Sequence, residues 1–164
     1  MKPVTNRNRV RIAAALALLA ATAAATAAPT WTLDLNLVSV HAQAWARRDL
    51  NQKNYGLGAT DHFSDTWAIS GGWYRNSFRR TSAYALVDWT PMRLSLPAGW
   101  RVRAGLTAGL DSGYRRAEIP TRPLIAAGLV RVVAPRGWAV DLDVVPSAGS
   151  ACCGFVGVQL AVPI

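Results

Sequence analysis

The chain has 164 residues, a formal net charge of +9, and 51% hydrophobic against only 16% charged residues. That length leaves room for one domain, and so low a charged fraction argues against an ordinary secreted soluble domain. Beyond residue 28 there is no 18-residue apolar run, which excludes a membrane-spanning helix from that part.

Met1 to Arg11 carries Lys2, Arg7, Arg9 and Arg11 without an acid, and Ile12 to Ala28 carries no charge at all. Ala25-Thr26-Ala27 then supplies a small-x-small cleavage pattern, so residues 1–27 read as a signal peptide and 28–164 as the mature part. The alternative, a membrane anchor, would need about 20 apolar residues rather than this short alanine-rich run. Removing the four basic residues of the leader from 18 leaves 14, against 9 acidic ones. An exported chain of that kind is expected to meet phosphates at a membrane surface rather than nucleic acid.

From Trp31 onward, apolar residues recur at every second position, the period of a strand rather than a helix. The clearest case is Trp100–Leu110, where Trp100, Val102, Ala104, Leu106, Ala108 and Leu110 share one face. In chain order the predicted strands are Trp31–Ala42, Tyr55–Thr60, Trp67–Tyr74, Ser82–Trp89, Trp100–Leu110, Leu124–Val133, Trp138–Val145 and Phe155–Ile164. The first changes phase between Leu37 and Val38, which predicts a β-bulge. Asp61–Asp65, Pro91–Gly99 and Ala134–Gly137 form one set of connections, mostly short. Gln43–Asn54, Arg75–Thr81, Asp111–Pro123 and Pro146–Gly154 form a longer set on the opposite side. The pattern predicts an all-β chain: an eight-stranded antiparallel up-and-down β-barrel of the outer-membrane type, with the longer loops outside the cell.

Tryptophan placement points the same way. Trp31, Trp67, Trp89, Trp100 and Trp138 all fall at strand ends on the short-turn side, as in an aromatic girdle. A soluble β-sandwich also alternates, but it would draw tryptophan into its core and turn charges outward. Near the short turns the inward positions hold Asp88, Arg101, Arg103, Arg131, Asp141 and Asp143. Hairpin geometry is expected to pair Asp88 with Arg101 and Arg131 with Asp141. Nearer the long loops, Gly56, Gly58, Ser70, Gly72, Gly105, Gly109, Ile125, Ala127 and Gly157 leave space for a narrow slot suited to an acyl chain. The competing expectation is that Tyr84, Leu86 and Phe155 fill that space.

In a meander the first and third strands end on one rim, which brings Ser39, His41 and Gln43 to the height of Asn76-Ser77. A histidine and a serine there permit general-base or nucleophilic chemistry on an ester, although polar residues are also what any barrel rim carries. Nine basic residues crowd the same rim. Among them Arg47, Arg48, Arg75, Arg79, Arg80, Arg115 and Arg116 are candidates for lipid-phosphate binding. The same collar would also suit a barrel with no catalytic role. His62, in a short turn, receives no role. Cys152 and Cys153 are neighbours about 3.8 Å apart at Cα, too close for an unstrained disulfide, so two thiols are expected.

At these residues the chain resembles the PagP-type lipid A palmitoyltransferases of Gram-negative outer membranes. The resemblance runs from about His41 to the C-terminus. It rests on His41-Ala42-Gln43, Asn54-Tyr55-Gly56-Leu57-Gly58, Arg75-Asn76-Ser77-Phe78 and Gly105-Leu106-Thr107-Ala108-Gly109-Leu110, with Pro120 and Pro146 where the family opens its barrel wall. It implies transfer of a palmitoyl chain from a phospholipid to lipid A by a monomeric outer-membrane enzyme without cofactor or metal. His41 would be the base and Ser77 the second catalytic residue, with Asn76 at the position of the family's aspartate. Two alternatives remain: a non-catalytic barrel that binds lipopolysaccharide, and a lipid esterase using the same His/Ser pair.

Overall fold

The computed structural model describes residues 30–147 and 153–164. The expected signal peptide, the start of the mature part near Ala28, and Cys152 lie outside the described residues. Eight strands form a single closed barrel in sequence order, each antiparallel to its neighbours. They are β1 (Thr30–His41), β2 (Lys53–His62), β3 (Trp67–Arg75), β4 (Thr81–Ser95), β5 (Arg101–Asp111), β6 (Leu124–Val133), β7 (Ala139–Val145) and β8 (Phe155–Pro163). Pairing of β1 with β8 closes the barrel.

Alternation sorts the side chains. Trp31, Trp67, Trp73, Val87, Leu106 and Leu110 are exposed on the outer wall. Thr32, Asp34, Thr60, Asp88, Thr107, Arg131 and Asp141 are buried inside. The tryptophans near the short turns pair up across strands, Trp67 with Trp89 at 6.0 Å between ring centroids and Trp100 with Trp138 at 5.6 Å. Among the described residues no helix is long and apolar enough to cross a membrane.

Two elements differ from expectation. β4 does not stop at Trp89 but continues through Pro91 to Ser95. The register with β5 shifts between Trp89 and Met92, so proline, which has no N–H to give the ladder, sits in an irregularity. That extension moves Arg101 opposite Ser95, and Asp88 faces Thr107 instead, whose hydroxyl donates to it at 2.6 Å. The expected Asp88–Arg101 pair is therefore not formed. The expected Arg131–Asp141 pair is, by direct register and two hydrogen bonds of 2.7 and 2.6 Å. The second difference is a six-residue helix, α1 (Ala44–Asp49), inside the first long loop. One turn and a half is too short to show a helical period, although Ala and Arg are good helix formers.

Candidate functional site

The β1 bulge creates the site. Register slips between Asn36 and Val38 in both of β1's pairings. One extra residue exchanges the two faces of the strand beyond it. Ser39 and His41 consequently turn inward, with His41 only 1% exposed, while Val40 is 56% exposed on the outer wall. Without the bulge, His41 would follow Trp31, Leu33 and Leu35 outward.

His41 is held by a residue the sequence did not single out. Its Nδ1 lies 3.0 Å from Gln52 Oε1. The Gln52 amide nitrogen donates to the carbonyls of Ala46 and Leu50, both at 3.2 Å, so α1 fixes which end of the amide faces the imidazole. An oxygen there selects the tautomer with hydrogen on Nδ1 and leaves a lone pair on Nε2. Phe155 packs against the ring, 5.4 Å between centroids.

Asn76 is tied into the loops around it. It is fully buried, and its amide nitrogen donates to Ser82 Oγ at 3.1 Å and to the Gly113 carbonyl at 2.9 Å. Its side-chain oxygen accepts from the backbone N–H of Phe78 at 2.9 Å and of Arg80 at 3.1 Å. Those four bonds build the β3–β4 turn and tie it to the β5–β6 loop. Among the described residues no hydrogen bond joins His41 to Asn76 or Ser77. Asn51 links the two rim segments instead, its backbone N–H donating to the Ser77 carbonyl and its side chain to the Asn76 carbonyl.

Inside the barrel below this rim lies a cavity of about 400 Å³. Ser77 lines it, and His41 does not. The rim end carries Ser39, bonded to Asn54 at 2.6 Å, and Tyr74, whose hydroxyl donates to Asp111 at 2.6 Å and meets Tyr114 at 3.1 Å. Leu86, Ile125 and Leu129 supply apolar wall, and Asp88, Asp141 and Asp143 lie at its polar end. The glycines contribute less than expected. A Cβ on Gly58 would come within 2.2 Å of the Tyr84 hydroxyl, and one on Gly109 within 2.2 Å of the Ala85 carbonyl. They make room for Tyr84 and for close strand approach, while Ser70, Ile125, Ala127 and Gly157 do line the cavity.

Among the described residues, strand pairing in the cavity wall stops short on one side. The β6–β7 ladder ends at Gly128 opposite Val144, whereas β5 continues to pair with β6 up to Leu124. Leu124 to Ala127 thus have no partner on β7. Pro120 and Pro146 flank this gap and both line the cavity.

The arginines divide. Arg47 donates to the His41 carbonyl at 2.8 Å, and Arg80 binds Glu118 and the Gly113 carbonyl while covering the Phe78 ring at 5.3 Å. These two hold the loops together. Arg48, Arg75, Arg79, Arg115 and Arg116 are exposed. His62 is not idle either: it ends β2 with its ring 3.1 Å from Arg131 Nη1. Among the described residues no group of three His, Cys, Asp or Glu side chains is placed to hold a metal ion.

Sequence reasoning missed Gln52, Asn54, Asp111 and Tyr114, all loop or strand-end residues. Period two says which way a strand residue points, but carries no signal for a loop that folds back over the rim. No protein-family model matches the chain and no curated protein matches it.

Proposed function

We propose that this chain is a monomeric outer-membrane barrel that takes an acyl chain from a phospholipid and passes it to lipid A, the activity implied by the PagP resemblance. The observation that carries the reading is the internal cavity under Ser77, flanked by a gap in strand pairing through which a lipid chain can reach it from the side. A volume of about 400 Å³ falls within the roughly 300–1,000 Å³ of small-ligand pockets. In this reading His41 Nε2 accepts the proton of an acceptor hydroxyl as that oxygen attacks the acyl carbonyl. Ser77 donates a hydrogen bond to the oxygen that becomes charged. The donor ester bond breaks, and the proton returns to the departing glycerol oxygen, so one ester replaces another and no outside energy source is needed.

A second reading, a barrel that binds lipopolysaccharide without catalysis, is favoured by two observations: the Asn76 side chain is taken up by the β3–β4 turn and the β5–β6 loop, and His41 does not line the cavity. Mass spectrometry of lipid A from cells with and without the gene, repeated with Ser77→Ala, separates them. One added palmitoyl chain that disappears in the variant supports transfer. Unchanged lipid A supports the binding barrel, and loss of a chain would mean an esterase.

A further inference from the structure

We infer that the outer wall where β2, β3 and β4 meet the long loops is a binding site for the phosphate head of a membrane lipid. A hollow there is bounded by Lys53, Arg75 and Arg79 and floored by Tyr55, Leu57 and Trp73. The register explains the layering. Lys53, Tyr55 and Leu57 alternate down the outside of β2, Trp73 sits opposite Leu57, and Arg75 opposite Thr81. Lys53 therefore stands nearest the rim, Arg75 and Tyr55 lie level in the next row, Trp73 and Leu57 in the row below, and apolar wall continues beneath. Under Trp73, Ala59, Gly71 and Ala85 stand side by side on three strands, a shallow shelf among bulkier neighbours.

The chemistry of the lining selects the ligand. No carboxylate borders the hollow, and among the described residues none of its three cations forms an ion pair. Arg79 has only a 3.4 Å contact to the Asp49 carbonyl, and it occupies left-handed backbone at φ 59° where glycine is the easier residue. A phosphomonoester carries roughly −1.5 to −2 charge and three acceptor oxygens near neutral pH, enough to engage three donors arriving from separate segments. The floor separates a lipid from free phosphate. An inorganic ion has no use for Tyr55, Leu57 and Trp73, whereas a lipid headgroup places apolar mass beneath its phosphate. Arg47 and Arg80, held by backbone carbonyls and Glu118, are not part of this cluster.

The inference rests on the membrane placement in the proposed function, but not on catalysis. Native mass spectrometry of the purified full chain in non-ionic detergent tests it, with bisphosphorylated lipid A, the same lipid stripped of its phosphates, and inorganic phosphate as competitor. The expected result is a one-to-one adduct with the phosphorylated lipid, weakened at least tenfold by removing the phosphates or by combining Lys53→Gln, Arg75→Gln and Arg79→Gln. Equal binding of the two lipids, unchanged binding by the triple variant, or displacement by equimolar inorganic phosphate would overturn it. Arg79→Gly guards against misfolding. It relieves the left-handed arginine, so the barrel is expected to melt higher while binding weakens; weaker binding with a lower melting temperature in both variants would make the cluster structural only. If the parent chain forms the adduct but leaves lipid A without an added acyl chain, the enzyme reading fails and this site stands; an active parent with no adduct has the opposite meaning.

Discussion

Arg131 and Asp141 face each other directly across β6 and β7, and the guanidinium grips both carboxylate oxygens, at 2.7 and 2.6 Å. Both side chains are buried, and Asp88 and Asp143 lie close enough to feel the same cation. Removing the arginine alone strands a cluster of carboxylates. Arg131→Met should cost about 3–5 kcal/mol, the usual penalty for breaking a buried pair from one side. Adding Asp141→Leu should return part of that loss. Urea unfolding in a fixed detergent measures both, and equal stability of the single variant and parent would contradict the interior description.

Gln52 should matter to chemistry through His41. Gln52→Ala is expected to lower acyl transfer on the order of tenfold, the equivalent of one orienting hydrogen bond, with little change in KM. Gln52→Glu keeps an oxygen toward His41 but sets its other oxygen against the Ala46 and Leu50 carbonyls, so it should recover only part of the rate. A loss of substrate affinity instead, with turnover intact, would place Gln52 outside the site.

Asn76→Asp puts the residue of the PagP family at this position, and the geometry predicts harm. An aspartate oxygen would replace the nitrogen that now donates to the Gly113 carbonyl at 2.9 Å, setting two acceptors against each other. The cost should be about 1–3 kcal/mol, as for a buried group deprived of its partner. Thermal melts and the transfer assay together decide the point: a gain in activity without loss of stability would mean the turn rearranges and the motif reading was right.

Gly58 and Tyr84 should behave as one unit. Gly58→Ala drives a methyl to 2.2 Å from the Tyr84 hydroxyl and 2.8 Å from the Gly71 carbonyl. A destabilisation of about 1–3 kcal/mol is expected for such overpacking. Tyr84→Phe should be partly restorative in the Gly58→Ala background, because it removes the closer of the two obstacles. Additive losses in a double-mutant cycle would show that the two residues do not meet.

The barrel was legible because a strand writes its faces into the sequence two residues at a time. All eight strands, the bulge near Leu37 and the Arg131–Asp141 pair follow from that period. What the period cannot carry is strand length across a proline. β4 running on past Pro91 re-registered Asp88 onto Thr107 and left Arg101 at the exposed end of β5, opposite Ser95. Nor does it carry the loops: α1 and Gln52 orient His41 from a segment that alternation leaves blank. His41, Asn76 and Ser77 do gather on one rim, but which of them faces the cavity is set by contacts between loops distant in sequence.

The outer wall is the premise on which lateral access, the girdle and the phosphate site all depend. Quenching of the native tryptophans by bilayer lipids brominated along their acyl chains tests it most directly. Trp31, Trp67, Trp73, Trp89 and Trp138 are exposed on that wall, so strong quenching is predicted, deepening as the bromine is moved toward the headgroup. Emission unchanged by brominated lipid, from a folded chain that stays in solution without detergent, would contradict the account.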